Sequence, residues 1–421
     1  MITPVLALPN NLRSSWPVPG RERTALICFS HLRWNFVYQR PQHLLSRASR
    51  EHDVFFIEEA IVRADAKAHF EWQIAACGVR VGVPVLPDGL DHSESLQAQR
   101  DLLSRLVSGL AGRRRVLWYY TPMALEFSRH LGADLSVYDN MDELAAFKGA
   151  SPELLALEDE LFRRVDLVFT GGQSLYEAKK GRHASVHVFA SSIDKSHFAR
   201  ARNRLSEPVD QRMLGRPRLG FFGVIDERMD LALLEQIALA RPDWHIVMIG
   251  PVVKIDESSL PRPRNLHWLG LRAYAELPSY LAHWNVGFMP FAINESTRYI
   301  SPTKTPEFLA AGVPVVSTPI CDVVRPYGER GLVDIASTAA EFVASAERWL
   351  TQPRDRWLRD VDRLLARMSW DRTWEGMQRL IDAPRNKSAP AAARATAHPS
   401  LAVAAASAGL TLTPTEAGTG A

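Results

Sequence analysis

Lys304 and Glu307 stand three residues apart in Ser301-Pro302-Thr303-Lys304-Thr305-Pro306-Glu307-Phe308-Leu309-Ala310-Ala311-Gly312-Val313-Pro314-Val315-Val316. An ammonium and a carboxylate at that spacing can serve two ends of one ligand. The cation neutralises phosphate, and the carboxylate accepts from two adjacent hydroxyls of a ribose. A nucleotide sugar presents both groups a few ångströms apart. The plainer use of the same pair is an i,i+3 salt bridge on a helix.

The surrounding residues dictate how the pair is held. Ser301–Pro302 opens a helix, since proline in a first turn has no N–H to lose. Pro306 delays the start, with Thr305 as the expected N-cap. Phe308–Ala311 is the apolar helix body, and Gly312 suits the left-handed stop. Val313–Val316 then reads as a buried parallel strand. The pair therefore lies at a helix N-terminus, where backbone N–H groups and the dipole favour an anion.

The same alternation of apolar runs and helical patterns fills the chain, the mark of parallel α/β layers. Strands are expected at 25–29, 54–57, 81–85, 116–120, 135–138, 166–170 and 186–189, then at 219–222, 245–249, 266–269 and 286–289. Between the two sets, residues 199–218 are polar, arginine-rich and carry Pro208, Gly215 and Pro217, a linker composition. The expected organisation is an extension over 1–20, one Rossmann-like domain over 21–198, the linker, a second Rossmann-like domain over 219–368, a further helix over 369–383 and a tail over 384–421. Two such domains put a ligand cleft between them, at the carboxyl ends of the strands. The tail is Ala, Thr, Ser, Pro and Gly with little to bury, a disorder-prone composition.

The segment from Pro302 to Val316 resembles the donor-binding signature of the family 4 glycosyltransferases, P-x-K-x-x-E-[YF]-L-A-x-G-x-P-V-V. Pro302, Lys304, Glu307, Phe308, Leu309, Ala310, Gly312, Pro314, Val315 and Val316 match. Tyr299 stands where the family often has a glutamate, with Glu295 close by. The resemblance implies the GT-B fold, two doubly wound parallel-sheet domains with an interdomain cleft. It also implies transfer of a sugar from a nucleotide-diphosphate sugar, without metal and with retention at the anomeric carbon. Lys304 and Arg228 would hold the diphosphate, Gly223 would give it backbone access, and Glu307 would take the ribose. Leu269 and Arg272 lie in the strand and loop that resemble the family's base-recognition segment. Arg228 is equally readable as a loop arginine paired with Asp226 or Glu227, and Trp268 as core.

A second segment, Trp34-Asn35-Phe36-Val37-Tyr38-Gln39-Arg40-Pro41-Gln42-His43, resembles a subgroup found in bacterial surface-polysaccharide pathways. It follows the first strand, in the loop that faces the cleft. His31, Arg33, Trp34 and Arg40 are the acceptor-side candidates. Residues 30–50 hold four arginines and no acid, 4 − 0 = +4. His43, Arg47 and Arg50 share a helix face that either meets phosphates of an acceptor or an anionic membrane, or is simply solvated. Asp142, in the subgroup-like Tyr138-Asp139-Asn140-Met141-Asp142-Glu143, is the N-domain carboxylate for the reacting hydroxyl, or else a helix cap. Asp194 reads as a cap.

Other chemistries find little support. Among the thirteen histidines no metal-ligand spacing occurs, and no G-x-S-x-G, P-loop or G-x-G-x-x-G is present. The one D-x-D, Asp360-Val361-Asp362, lies in a late helical pattern. Three scattered cysteines suit a reducing cytoplasm. Residues 1–20 lack a signal-peptide pattern, and no apolar stretch reaches the ~20 residues of a membrane span. A net charge of +3 does not argue for nucleic acid. The expectation is a cytoplasmic enzyme, sited at the inner face of the membrane, that needs no cofactor beyond its nucleotide-sugar substrate and acts on a sugar or lipid-linked acceptor. The alternatives are a non-catalytic nucleotide-sugar-binding protein and a nucleotide-sugar epimerase of the same fold.

Overall fold

The β-branched and aromatic runs fold as the parallel strands their composition predicts. The computed structural model describes residues 23–384; the expected extension over 1–20 and the tail beyond Pro384 lie outside the described residues. The first sheet contains β1 (Ala25–Phe29), β2 (Asp53–Ile57), β3 (Ile61–Arg63), β4 (His69–Ile74), β5 (Arg80–Pro87), β6 (Arg115–Tyr119), β7 (Leu135–Asn140), β8 (Leu167–Thr170) and β9 (Val186–Val188). Its order is β3-β5-β2-β1-β6-β7-β8-β9, parallel throughout except that β4 pairs antiparallel with β5. The second sheet contains β10 (Arg218–Phe222), β11 (His245–Ile249), β12 (Leu266–Gly270), β13 (Val286–Met289), β14 (Val315–Ser317) and β15 (Asp334–Ile335). Its order is β12-β11-β10-β13-β14-β15. Both sheets reverse direction beside their first strand, between β1 and β6 and between β10 and β13. That crevice is where doubly wound sheets bind ligands.

Each sheet has its own core. Trp118, Phe169 and Tyr120 fill the first, and Phe221, Trp244 and Phe288 the second. The segment over 199–218 is more than a linker. Its Ala201 belongs to the second core, as do Ile193 and Phe198 just before the segment. Arg202 reaches Asp362 at 2.9 Å and the carbonyl of Ala310 at 2.7 Å. Arg218 is already in β10, buried on Glu207 and the carbonyls of Leu214 and Gly215. A composition rich in arginine looks solvated in sequence but becomes packed once acids and carbonyls pair it.

The helix Trp370–Asp382 crosses back. Ser369 caps it through the Arg372 amide at 3.1 Å, and Trp370, Trp374, Met377 and Ile381 enter the first core. Its Asp371 binds both Arg47 and Arg50, each at 2.9 Å. The basic face over 43–50 is thus turned onto this helix. His43 is buried and stacks on Trp370 at 4.7 Å.

Candidate active site

The helix over 304–311 starts earlier than the expected delay at Pro306 would give. It runs Lys304–Ala311 with Thr303, not Thr305, in the N-cap position. Thr305 is buried inside the first turn. Pro306 sits within that turn, where its missing N–H costs no intrahelical bond. Gly312 ends the helix at φ +77°, the left-handed stop expected of it.

Lys304 and Glu307 do not form the direct i,i+3 salt bridge. Glu307 is 5% exposed and, among the described residues, its carboxyl makes no hydrogen bond. Burial pushes its carboxyl up to about 7, against the pull of the Lys304 charge. Burial likewise lowers Lys304, opposed by Glu307. Lys304 lies under Gly223, whose φ is +136°. A Cβ at Gly223 would overlap Lys304 Cε. Glycine at the end of β10 is what lets the ammonium reach the cleft.

Arg228 follows on the same loop. Asp226 holds it by two parallel bonds, Nε–Oδ1 at 3.0 Å and Nη2–Oδ2 at 2.7 Å. A second bond to Oδ1 comes from its own amide at 3.0 Å. The pairing foreseen as the plainer reading therefore exists, yet Arg228 still lines the cleft with Lys304, Asp142 and Arg40. An arginine with one acid neighbour keeps free donors for a phosphate.

Across the cleft, Asp142 is half-buried beyond the end of β7. Burial raises its pKa, while Arg228 and Arg40 pull the other way. Its loop is braced from behind: Asn140 donates to the Asp142 carbonyl at 3.0 Å and to Tyr138 Oη at 2.8 Å, and Tyr138 donates to Glu158 at 2.9 Å. Lys179 ties Glu158 to Glu143, at 3.0 and 2.8 Å. The helical turn that follows, Leu144–Ala146, takes no side-chain cap, so Asp142 is not spent on capping. Asp194 is, through the His197 amide at 3.2 Å.

The acceptor-side candidates divide. Arg40 is not a loop residue. It opens the helix Arg40–Ala48, is 4% exposed, and its guanidinium grips buried Asp139 at 2.8 Å and the Phe189 carbonyl at 2.6 Å. It borders the cleft with its charge already answered. Trp34 is buried on Phe56. Arg33 binds Glu58 at 2.9 Å and the Glu59 carbonyl at 2.8 Å. Those two brace the loop against the end of β2. His31 has a buried, unpartnered Nδ1. Burial, aided by the Lys254 charge, lowers its pKa to about 4, so the ring is neutral at physiological pH.

On the base side, Leu269 is half-buried in β12, and Arg272 is engaged by Asp210 at 2.5 Å and Tyr280 at 2.8 Å. Trp268 donates to the Pro261 carbonyl at 3.1 Å and packs on the second core. Glu295 is exposed, 3.6 Å from Arg298, and does not replace a cleft glutamate at Tyr299. Asp360 and Asp362 lie on the helix Asp355–Leu365, paired with Arg363 and Arg202.

Two residues that sequence reasoning passed over, Asp139 and Asp322, also matter, as does Asp226, read there only as a plain partner of Arg228. Asp139 and Asp226 orient the two cleft arginines. Asp322, in the helix Cys321–Val324, accepts from the Ser174 amide at 3.0 Å and so joins the second half of the molecule to the first. Their partners lie up to 148 residues away, and only Asp226 stood near its own in sequence.

Residues 216–352 match the family model described as Glycosyl transferases group 1. The chain is 28% identical over 287 residues to TuaH of Bacillus subtilis (strain 168), named as a teichuronic acid biosynthesis glycosyltransferase. That match spans 63% of this chain and 71% of the relative. Among solved structures, it resembles Anabaena HepE in complex with UDP and glucose, with TM-score 0.60 and 14% identity over 85% of this chain and 99% of the other. It also resembles an α,α-trehalose-phosphate synthase (UDP-forming) of Burkholderia xenovorans in complex with glucose-6-phosphate, with TM-score 0.60 and 11% identity over 86% and 100%. The sucrose-phosphate synthase of Thermosynechococcus elongatus has TM-score 0.59 and 14% identity over 86% and 98%. The chain is a glycosyltransferase of the GT-B fold, with a glycosyl transferases group 1 domain in its C-terminal half.

Proposed function

We propose that this enzyme is a retaining, metal-independent transferase of the family 4 type, moving a sugar from a nucleotide-diphosphate donor to a lipid-linked sugar of a surface polysaccharide or glycolipid at the cytoplasmic face of the membrane. The observation that carries the donor reading is the unpaired Lys304–Glu307 couple under Gly223. A half-buried ammonium and a buried carboxyl that decline each other are poised for a ligand that brings both a phosphate and a diol.

Lys304 and Arg228 neutralise the diphosphate as it leaves. Charge grows there in the transition state, so fixed cations lower the barrier. The bond from the anomeric carbon to the phosphate oxygen breaks as the bond to the acceptor oxygen forms on the same face. The acceptor proton passes to the leaving phosphate. Asp142 orients the acceptor hydroxyl or the transferred sugar, and His31 contributes a neutral ring to the acceptor side. The polysaccharide setting rests on the subgroup-like segment over 34–43 and on the name of the Bacillus subtilis relative.

The test is a panel of nucleotide sugars with a polyprenyl-diphosphate-linked sugar as acceptor, read by nucleoside diphosphate release and by the anomeric configuration of the product. Release matched to glycosylated acceptor, unaffected by chelator, is expected. Conversion of the donor at an equal rate without acceptor would mean an epimerase or hydrolase instead.

A further inference from the structure

Beside the proposed donor site stands a clamped tyrosine. Tyr274 begins the turn Tyr274–Glu276 after β12. Its ring is clamped on both faces. His197 stacks at 4.2 Å with the planes 10° apart, and Tyr38 stacks at 4.6 Å and 27°. Phe198 meets it edge-on at 5.6 Å. A ring held on both faces points its hydroxyl in one direction.

That hydroxyl is buried and makes no hydrogen bond among the described residues. The helix Lys195–Ala199, which carries His197, packs on the helix Lys304–Ala311. This brings the Tyr274 hydroxyl into the neighbourhood of Glu307. Burial first, and the Glu307 charge second, raise its pKa, so it stays a hydrogen-bond donor. Glu307 is also a buried residue, and its carboxyl makes no hydrogen bond among the described residues. A buried hydroxyl without a partner, in the neighbourhood of a carboxyl that no protein group satisfies, is rare in a folded protein unless something fits there.

We infer that Tyr274 is a donor-binding residue, and that its hydroxyl and the Glu307 carboxylate form the two walls of a slot for the ribose cis-diol. This rests on the donor site proposed above. The division of labour is chemical. The ionised carboxylate can only accept, so it takes the protons of the 2′- and 3′-hydroxyls. The tyrosine fills a ribose oxygen lone pair that the carboxylate cannot. The slot thus reads a ribose rather than a deoxyribose. Tyr38 comes from the first half of the chain, so the ring is clamped fully only when the two halves meet.

The test is calorimetry of wild type, Tyr274→Phe and Glu307→Gln with UDP, GDP, ADP and dTDP, followed by the 2′-deoxy and 3′-deoxy forms of whichever binds. Tyr274→Phe keeps the ring stack, and an unchanged Tm checks this. It is expected to weaken the ribonucleotide roughly tenfold and to leave one deoxy analogue bound as in wild type. If Glu307→Gln loses affinity while Tyr274→Phe does not, the inference is overturned and the donor site stands. The inference is also overturned if dTDP is preferred. If no diphosphate binds, or neither variant changes binding, the donor site falls and the inference with it.

Discussion

Gly223 and Lys304 share one space: the Cβ that any other residue would add at 223 overlaps Lys304 Cε. The backbone there also holds φ +136°, which L side chains rarely adopt. Gly223→Ala should therefore act twice. Strain should cost about 1–3 kcal/mol of stability, and the displaced ammonium should lower kcat/KM by roughly 10²-fold or more. Thermal unfolding and steady-state kinetics separate the two effects. An intact kcat/KM would show that Lys304 need not occupy this position.

Lys304→Ala should cut turnover rather than only raise KM, because the cation is proposed to meet charge that grows on the leaving diphosphate. Nucleoside diphosphate binding should weaken more than nucleoside binding. Equal losses for both ligands would make Lys304 a structural residue.

Glu307 carries a pH signature. Its carboxyl is raised to about 7 in the folded chain from an unfolded value of 4.5. A group raised on folding contributes stability that is full below the unfolded value and is lost as pH rises through the folded one. Glu307→Gln should therefore raise Tm at pH 8, by a free energy of at most about 3 kcal/mol, and the gain should vanish near pH 4.5. The same variant should weaken donor binding by roughly 1.5–3 kcal/mol. A Tm difference independent of pH would show that the carboxyl titrates normally.

His31 supplies the contrast. Its pKa is lowered to about 4, so it does not titrate between pH 5 and 8. His31→Gln should leave unchanged the midpoint of any acid limb in kcat/KM near pH 7, whereas Glu307→Gln should abolish that limb. A midpoint that moves in His31→Gln would reassign it.

The fold was legible because both domains are built from local signals. Apolar runs such as Leu219–Phe222 and His245–Ile249 become β10 and β11 with nearly those bounds, and Gly312 stops its helix as glycine should. The arginines were the hardest to read. Arg47, Arg50, Arg202 and Arg218 look like solvent-facing charge in a window of neighbours, and Arg40 like an acceptor-binding loop residue. Their partners, Asp139, Asp371, Asp362 and Glu207, come mostly from distant segments. Lys304 and Glu307 could be read as a site because a helix start and a strand fixed their register; that they avoid each other could not.

This bears on how a membrane would be met. In sequence the +4 stretch over 30–50 suggests cations aimed at anionic headgroups. In the structure Arg47 and Arg50 close on Asp371, and this anchors the helix Trp370–Asp382 to the helix Arg40–Ala48. Arg47 is largely buried in that clasp, while Arg50 is 66% exposed. Exposed ion pairs contribute about 0–1 kcal/mol, and a partly buried one somewhat more. The double variant Arg47→Gln with Arg50→Gln should therefore lower Tm by a few degrees and leave donor affinity unchanged. Its effect on binding to anionic vesicles should be small, because the charge it removes is already answered by Asp371. Asp371→Asn should lower Tm similarly while freeing both cations, and should raise vesicle binding at low salt and lose that gain as salt screens it. A large loss of vesicle binding in the arginine variant, with Tm unchanged, would show that these arginines face lipid and that the clasp is open in solution.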